Sequence, residues 1–151
     1  MNTWFECKIR YDKLDESGLL KKVTEPYLVD ALSFTEAEAR ICKEIEPYIS
    51  GEFMVANIKR ANISELIKDP VGDKWYRARV VFIIVDQEKG IEKKTATNVY
   101  VQASDIKGAL DNIIENMKGT ISDYTITSIT ETMIMDVYSY VPAEEINRKI
   151  A

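Results

Sequence analysis

The chain has 151 residues, 46 % hydrophobic and 30 % charged, the balance of a soluble globular body with one proper core or two very small ones. Its 20 Lys and Arg against 25 Asp and Glu leave a formal charge of −5, which argues against long-range capture of duplex nucleic acid as the main task. Histidine is absent, which removes His-based triads, His general bases and nearly all zinc or copper sites, and no stretch is apolar enough to span a membrane or pattern itself as a signal peptide. A cytoplasmic location without membrane partners follows by default.

Trp4 to Tyr11 alternates cleanly, with Phe5, Cys7, Ile9 and Tyr11 on one face and Trp4, Glu6, Lys8 and Arg10 on the other, so a half-buried strand is predicted. Asp12 to Gly18 reads as a polar turn and Leu19 to Ala31 as a second strand with Tyr27, Val29 and Ala31 facing in. Pro26 has no N–H and places part of that strand on an edge. Ser33-Phe34-Thr35-Glu36 is a capping-box pattern opening a helix whose apolar positions are Phe34, Ala37, Ile41, Ile45 and Tyr48. Phe53 to Ile67 reads as a third strand, with a slip of phase between Val55 and Ile58 that calls for a bulge.

Residues 68–73 form a linker, after which the pattern restarts. Trp75 to Asp86 and Ile91 to Ala103 are strands around the turn Gln87-Glu88-Lys89-Gly90. Asp105 caps a helix whose apolar positions are Ile106, Ala109, Leu110, Ile113, Ile114 and Met117, and Tyr124 to Tyr138 reads as one last long strand. Trp4 matches Trp75, Gly18 matches Gly90, Lys21-Lys22 match Lys93-Lys94, Ser33 matches Asp105, and Ile41 matches Ile113, at an offset of 71 or 72 residues throughout. The expected fold is therefore α+β, a tandem duplication of a ββαβ unit with mainly antiparallel sheet, two helices and a short C-terminal helix. The chain is expected to form a single compact domain over 1–151, with repeat one at 3–67, repeat two at 74–138 and a tail at 139–151.

The repeat acts as an internal filter. Cys7 and Cys42 lie opposite Ala78 and Ile114, both read as core positions, so they are expected to be buried inert thiols. Asp12, Asp15 and Glu16 share a turn but lack the order of ligands and the Gly of a calcium loop. No metal site, cofactor or catalytic constellation is expected, and the chain reads as a non-enzyme.

One feature survives the filter. The non-core face of the first strand carries Trp4, Lys8 and Arg10 in one copy and Trp75, Arg77 and Arg79 in the other. The neighbouring strand adds Lys22 in the first copy and Lys94 with Tyr100 in the second, expected side by side with them. Flat rings beside cations suit a base or sugar plus a phosphate, which points to a small anionic ligand such as a nucleotide. A single-stranded nucleic-acid module, a protein–protein adaptor and a merely solvated face remain open, and a homo-oligomer would supply symmetric sites.

The strings WFECKIRYDK, FTEAEAR, MVANIKRANISELI, KWYRARV, KKTATNVYVQAS and TETMIMDVY together resemble a domain-of-unknown-function family of short proteins from gut Bacteroidales and their phages. The resemblance brings no catalytic residues. It implies a small intracellular protein carried on mobile or phage DNA. The context of such proteins suggests sequestration of a nucleotide immune signal, an anti-defence role.

Overall fold

The computed structural model describes residues 3–139; the expected C-terminal helix over 142–146 lies outside them. Among the described residues the fold is α+β, with two mixed, mostly antiparallel four-stranded sheets and two α-helices. No helix among the described residues is long and apolar enough to cross a membrane.

The chain divides into two compact units. Among the described residues the first comprises 3–61 together with 134–139, and the second runs Asn62–Met133. In the first unit β1 (Thr3–Leu14) pairs antiparallel with β2 (Leu20–Ala31) and with β3 (Phe53–Ala61), and α1 (Phe34–Ile45) crosses one face. In the second unit β5 (Lys74–Asp86) pairs antiparallel with β6 (Ile91–Ala103) and with β7 (Asp123–Glu131), under α2 (Ile106–Asn116).

Two strands that the sequence pattern runs on unbroken are interrupted. Phe53–Ile67 stops at Ala61, and β4 (Glu65–Ile67) joins the second sheet, parallel to β6. Tyr124–Tyr138 stops at Glu131, and β8 (Val137–Tyr138) joins the first sheet, parallel to β2. The sheet orders are thus β3-β1-β2-β8 and β7-β5-β6-β4. Hydrophobic phase alone cannot see these breaks, because a strand that changes sheets keeps its alternation.

The expected bulge is present: Lys8 faces Asn57 while Ile9 faces Val55, leaving Ala56 extra. The second sheet has one at the corresponding place, between Arg79 and Val80, where Thr127 is extra and donates to the Arg79 carbonyl. Ser33 and Asp105 cap their helices through side-chain oxygens that accept from the Glu36 and Gly108 amides at 3.1 and 2.7 Å.

Each core is one helix on one sheet. Ala37, Ile41 and Ile45 pack on Phe5, Cys7, Ile9, Val29 and Ala31. Ala109, Ile113 and Met117 pack on Tyr76, Ala78, Val80, Val99 and Val101. Burying a side chain of this size stabilises by about 1.5–3 kcal/mol. Two of the expected core positions at the helix starts do not reach it: Phe34 and Ile106 are exposed. Phe34 instead meets Phe5 edge-on at 4.9 Å, with the Arg60 guanidinium 5.6 Å from its ring centre.

The linker is a fitted part of the second unit. The Asp69 amide donates to Gln102 Oε1, Gln102 Nε2 donates to the Gly72 carbonyl, and Asn112 Nδ2 donates to both Asp69 Oδ2 and the Gln102 carbonyl, all at 3.0 Å. Gly72 is buried so tightly against β6 that an added Cβ would stand 2.6 Å from the Ala103 Cα. That neighbour is backbone and cannot step aside. Gly72→Ala is therefore expected to cost about 1–3 kcal/mol, read as a drop in Tm of roughly 2–4 °C per kcal/mol. An unchanged Tm in a thermal melt would show that the linker yields.

Candidate functional site

The outer face of each sheet, opposite its helix, carries the side chains singled out in the sequence. Strand register fixes which of them meet. In the first unit the rows across β2, β1 and β3 read Asp30–Trp4–Ala61, Leu28–Glu6–Lys59, Pro26–Lys8–Asn57 and Thr24–Arg10–Met54, followed by Lys22–Asp12. In the second they read Gln102–Trp75, Tyr100–Arg77–Thr130, Asn98–Arg79–Ser128 and Ala96–Val81–Thr125, followed by Lys94–Ile83–Asp123.

The nine residues do not form one cluster per unit. Lys22 lies eight residues along β2 from Asp30, the partner of Trp4, a separation of about 26 Å at strand rise. Lys94 lies six residues from Tyr100, about 20 Å, and faces Ile83 instead of an arginine. The pattern placed all of them on the correct face but could not place them along it. What does meet is Arg77 beside Tyr100, and Arg10 diagonal to Lys22.

Exposure separates them further. Arg10, Lys22, Arg77, Arg79 and Lys94 are exposed, while Trp4 and Lys8 are half-buried. Trp75 keeps 4 % of its surface and Tyr100 keeps 7 %, so neither ring offers a face to solvent. A ligand that stacks on an indole finds only the partly covered Trp4 among these three rings.

Arg10 and Lys22 line a groove of about 210 Å³ at the hairpin end of the first sheet, together with Tyr11, Asp12, Glu52, Phe53 and Met54. Asp12, Glu52 and Met54 escaped the sequence reading. Asp12 looked like part of the turn, whereas β1 continues through Leu14, and the side on which Met54 emerges is set by the bulge at Ala56. The lining holds two cations and two carboxylates with an exposed thioether. Arg10 Nε donates weakly to Thr24 Oγ1 at 3.4 Å, which leaves the rest of its guanidinium fork to reach a guest.

The turn beyond the groove is satisfied by itself. Asp15 Oδ1 accepts from the Ser17 hydroxyl at 2.7 Å and from the Ser17 and Leu19 amides at 2.9 Å, and these bonds hold its carboxyl below the ordinary range. Among the described residues no three Cys, Asp or Glu side chains gather as metal ligands would.

The cysteines part company. Cys7 is fully buried, and burial, helped by Cys42 and then Glu6 and Glu38, pushes its thiol up to about 12. Cys42 lies only half-buried and its counterpart Ile114 is exposed, so this helix position is at the margin of the core, contrary to the sequence expectation. Burial and the neighbouring Glu38 and Glu46 raise the Cys42 thiol too. Both therefore stay protonated and weakly nucleophilic.

Three phenols in the same unit shift the same way. Burial raises Tyr11, whose hydroxyl donates to Glu25 at 2.6 Å, and burial raises Tyr27 and Tyr138, whose rings stack at 6.1 Å. All these groups are held neutral on folding, so their stabilising contribution is complete below the ordinary thiol and phenol values of about 8.5 and 10 and is lost as pH rises through the raised ones. The urea midpoint is expected to fall steadily from pH 8.5 to 11, with Tyr11→Phe flattening the fall. A flat midpoint in wild type would contradict this placement of the phenols.

No curated protein matches the chain by sequence. Residues 3–140 match the family described as a domain of unknown function, DUF4494, and the chain belongs to that family.

Proposed function

We propose that the protein is a non-catalytic binder of a small anionic ligand of nucleotide type, held at the Arg10–Lys22 groove of the first unit. The observation that carries this reading is the convergence of Arg10 and Lys22 on one groove beside Asp12, Glu52 and Met54. A phosphate would take the two cations, Arg10 by its planar fork and Lys22 as a point charge. An amino-bearing base would lie along Met54 and donate to a carboxylate. The groove is smaller than the roughly 300 Å³ where drug-sized sites begin, so part of a nucleotide would remain outside it. Its lining is charge-balanced, which favours a compact ligand bearing one phosphate over a long polyanion.

Sequestration of a nucleotide signal, the anti-defence role, is the use such a binder would serve without any chemistry of its own. A strand-stacking nucleic-acid module is less well supported, because it would need the rings that Trp75 and Tyr100 keep buried. We also infer that the two units are copies of one ββαβ element: the sheet orders agree strand for strand, and the bulges of β3 and β7 fall at equivalent places, opposite Lys8–Ile9 and Arg79–Val80.

Thermal-shift and calorimetric titration with linear and cyclic nucleotides test the proposal. Arg10→Ala and Lys22→Ala are each expected to weaken binding by roughly 10–100-fold, the loss of a charge-assisted hydrogen bond, with Tm nearly unchanged because both side chains are exposed. Loss of binding in Arg77→Ala and Arg79→Ala instead would move the site to the second unit. Absence of stabilisation by every nucleotide would overturn the reading.

A further inference from the structure

The sheet edges of the two units are unequally protected. β3 and β7 each carry a bulge, which twists an edge away from foreign strands. The hairpin half of β2 is left uncovered by the short β8 among the described residues, and Pro26, which has no N–H to offer, bounds that stretch at an edge-facing position. That assignment follows from the Pro26 carbonyl, which accepts from the Met135 amide across the edge. The hairpin half of β6, Ile91–Thr97, has neither device, because β4 covers only Val99–Val101. Every residue from Ile91 to Ala96 is exposed.

The direction of the free backbone groups can be read from one bond. The Ser64 amide donates to the Asn98 carbonyl at 2.8 Å, so Asn98 faces the edge. In an antiparallel strand alternate residues face the same side, so Glu92, Lys94 and Ala96 present N–H and C=O groups there that no strand among the described residues pairs. Ile91, Lys93 and Thr95 turn theirs inward to β5.

We propose that this edge is an interface for a second copy of the same chain, β6 against β6 across a two-fold axis at Lys93. Two-fold pairing brings a strand against its own reverse, so complementarity must be written within the strand itself. With the axis at Lys93, Glu92 of each chain faces the partner's Lys94, each pair exchanging backbone hydrogen bonds both ways, and Ile91 faces the partner's Thr95. Shifting the axis to Lys94 sets that lysine against itself and Glu92 against Ala96. The first unit cannot do the same: at the repeat offset of 72, Leu20 stands where Glu92 stands, so its Lys22 would find no acid. The lysines that guard the edge against other strands are thus answered, in this register, by the edge's own glutamate.

Native mass spectrometry and sedimentation of the full chain test this by charge exchange. Wild type is expected to dimerise. Glu92→Lys and Lys94→Glu should each raise the dimer dissociation constant about tenfold or more, since each replaces two attractive cross-strand contacts by two repulsive ones. Mixing the E92K and K94E chains should restore a dimer containing one of each, and the double variant should dimerise by itself. Circular dichroism should show both single variants folded, as exposed positions allow. A wild-type chain that stays monomeric to millimolar concentration, a dimer indifferent to both single changes, or a mixture that fails to recombine would each overturn the proposal.

Discussion

A single helix laid across a sheet is the contact on which everything else in each unit depends. Ala37 and Ala109 are the small residues that let α1 and α2 approach, and Ile41 and Ile113 fill the space so made. Three strands and a helix bury little on their own. Each unit gains a fourth, short strand, and in the first unit that strand arrives from the far end of the chain: β8 pairs with Leu28 and Val29 more than a hundred residues before it in sequence. The first unit is therefore complete only once the residues that follow the second are in place, whereas all the residues of the second are contiguous. Long-range pairing of this kind is expected to form late in folding, after the local hairpins.

The same contact explains what the sequence could and could not disclose. A helix buries a stripe and a strand buries alternate residues, so the faces of β1, β5, α1 and α2 were legible as periodicity. Helix caps were legible as well, since a Ser or Asp followed by an apolar period has a local cause. Position along a face was not. Lys94 and Tyr100 share a strand and a side, yet the register that separates Lys94 from the arginines is set by a turn and by β5 on the other arm. The switch of β4 and β8 between sheets leaves no trace in alternation. The burial of Trp75 was hidden for a related reason: its row is adjacent to a charged one, and alternation tells which face a ring is on without telling whether that face is covered.

The two outer faces, matched in pattern, differ in chemistry at equivalent rows. Arg10 and Asp12 of the first unit correspond to Val81 and Ile83 of the second, and Glu52 to Asp123. The groove that gathers two cations and two carboxylates thus lies at the hairpin end of the first unit. In the second unit the basic pair moves two rows back, to Arg77 and Arg79, beside a phenol that is already buried. A symmetric pair of ligand sites, one per unit, does not fit this division.

The edges divide in the complementary way. Where the first unit has Leu20 and Thr24 facing outward along β2, the second has Glu92 and Ala96 along β6, and the guarding lysines are common to both. An edge bearing only lysines repels any strand of like charge, its own copy included. Substituting one outward residue by an acid converts that general repulsion into a preference for a single register, because attraction is recovered only where the acid falls opposite the lysine. Lys93, left facing itself on the axis, limits how strong such a pairing becomes, and a weak, reversible association is what an edge of this length with a residual repulsion on its axis supports. The division of labour is then physical: a charged groove at the tip of one hairpin, a self-complementary edge on the other, each made possible by a strand pair that outruns the helix covering its base.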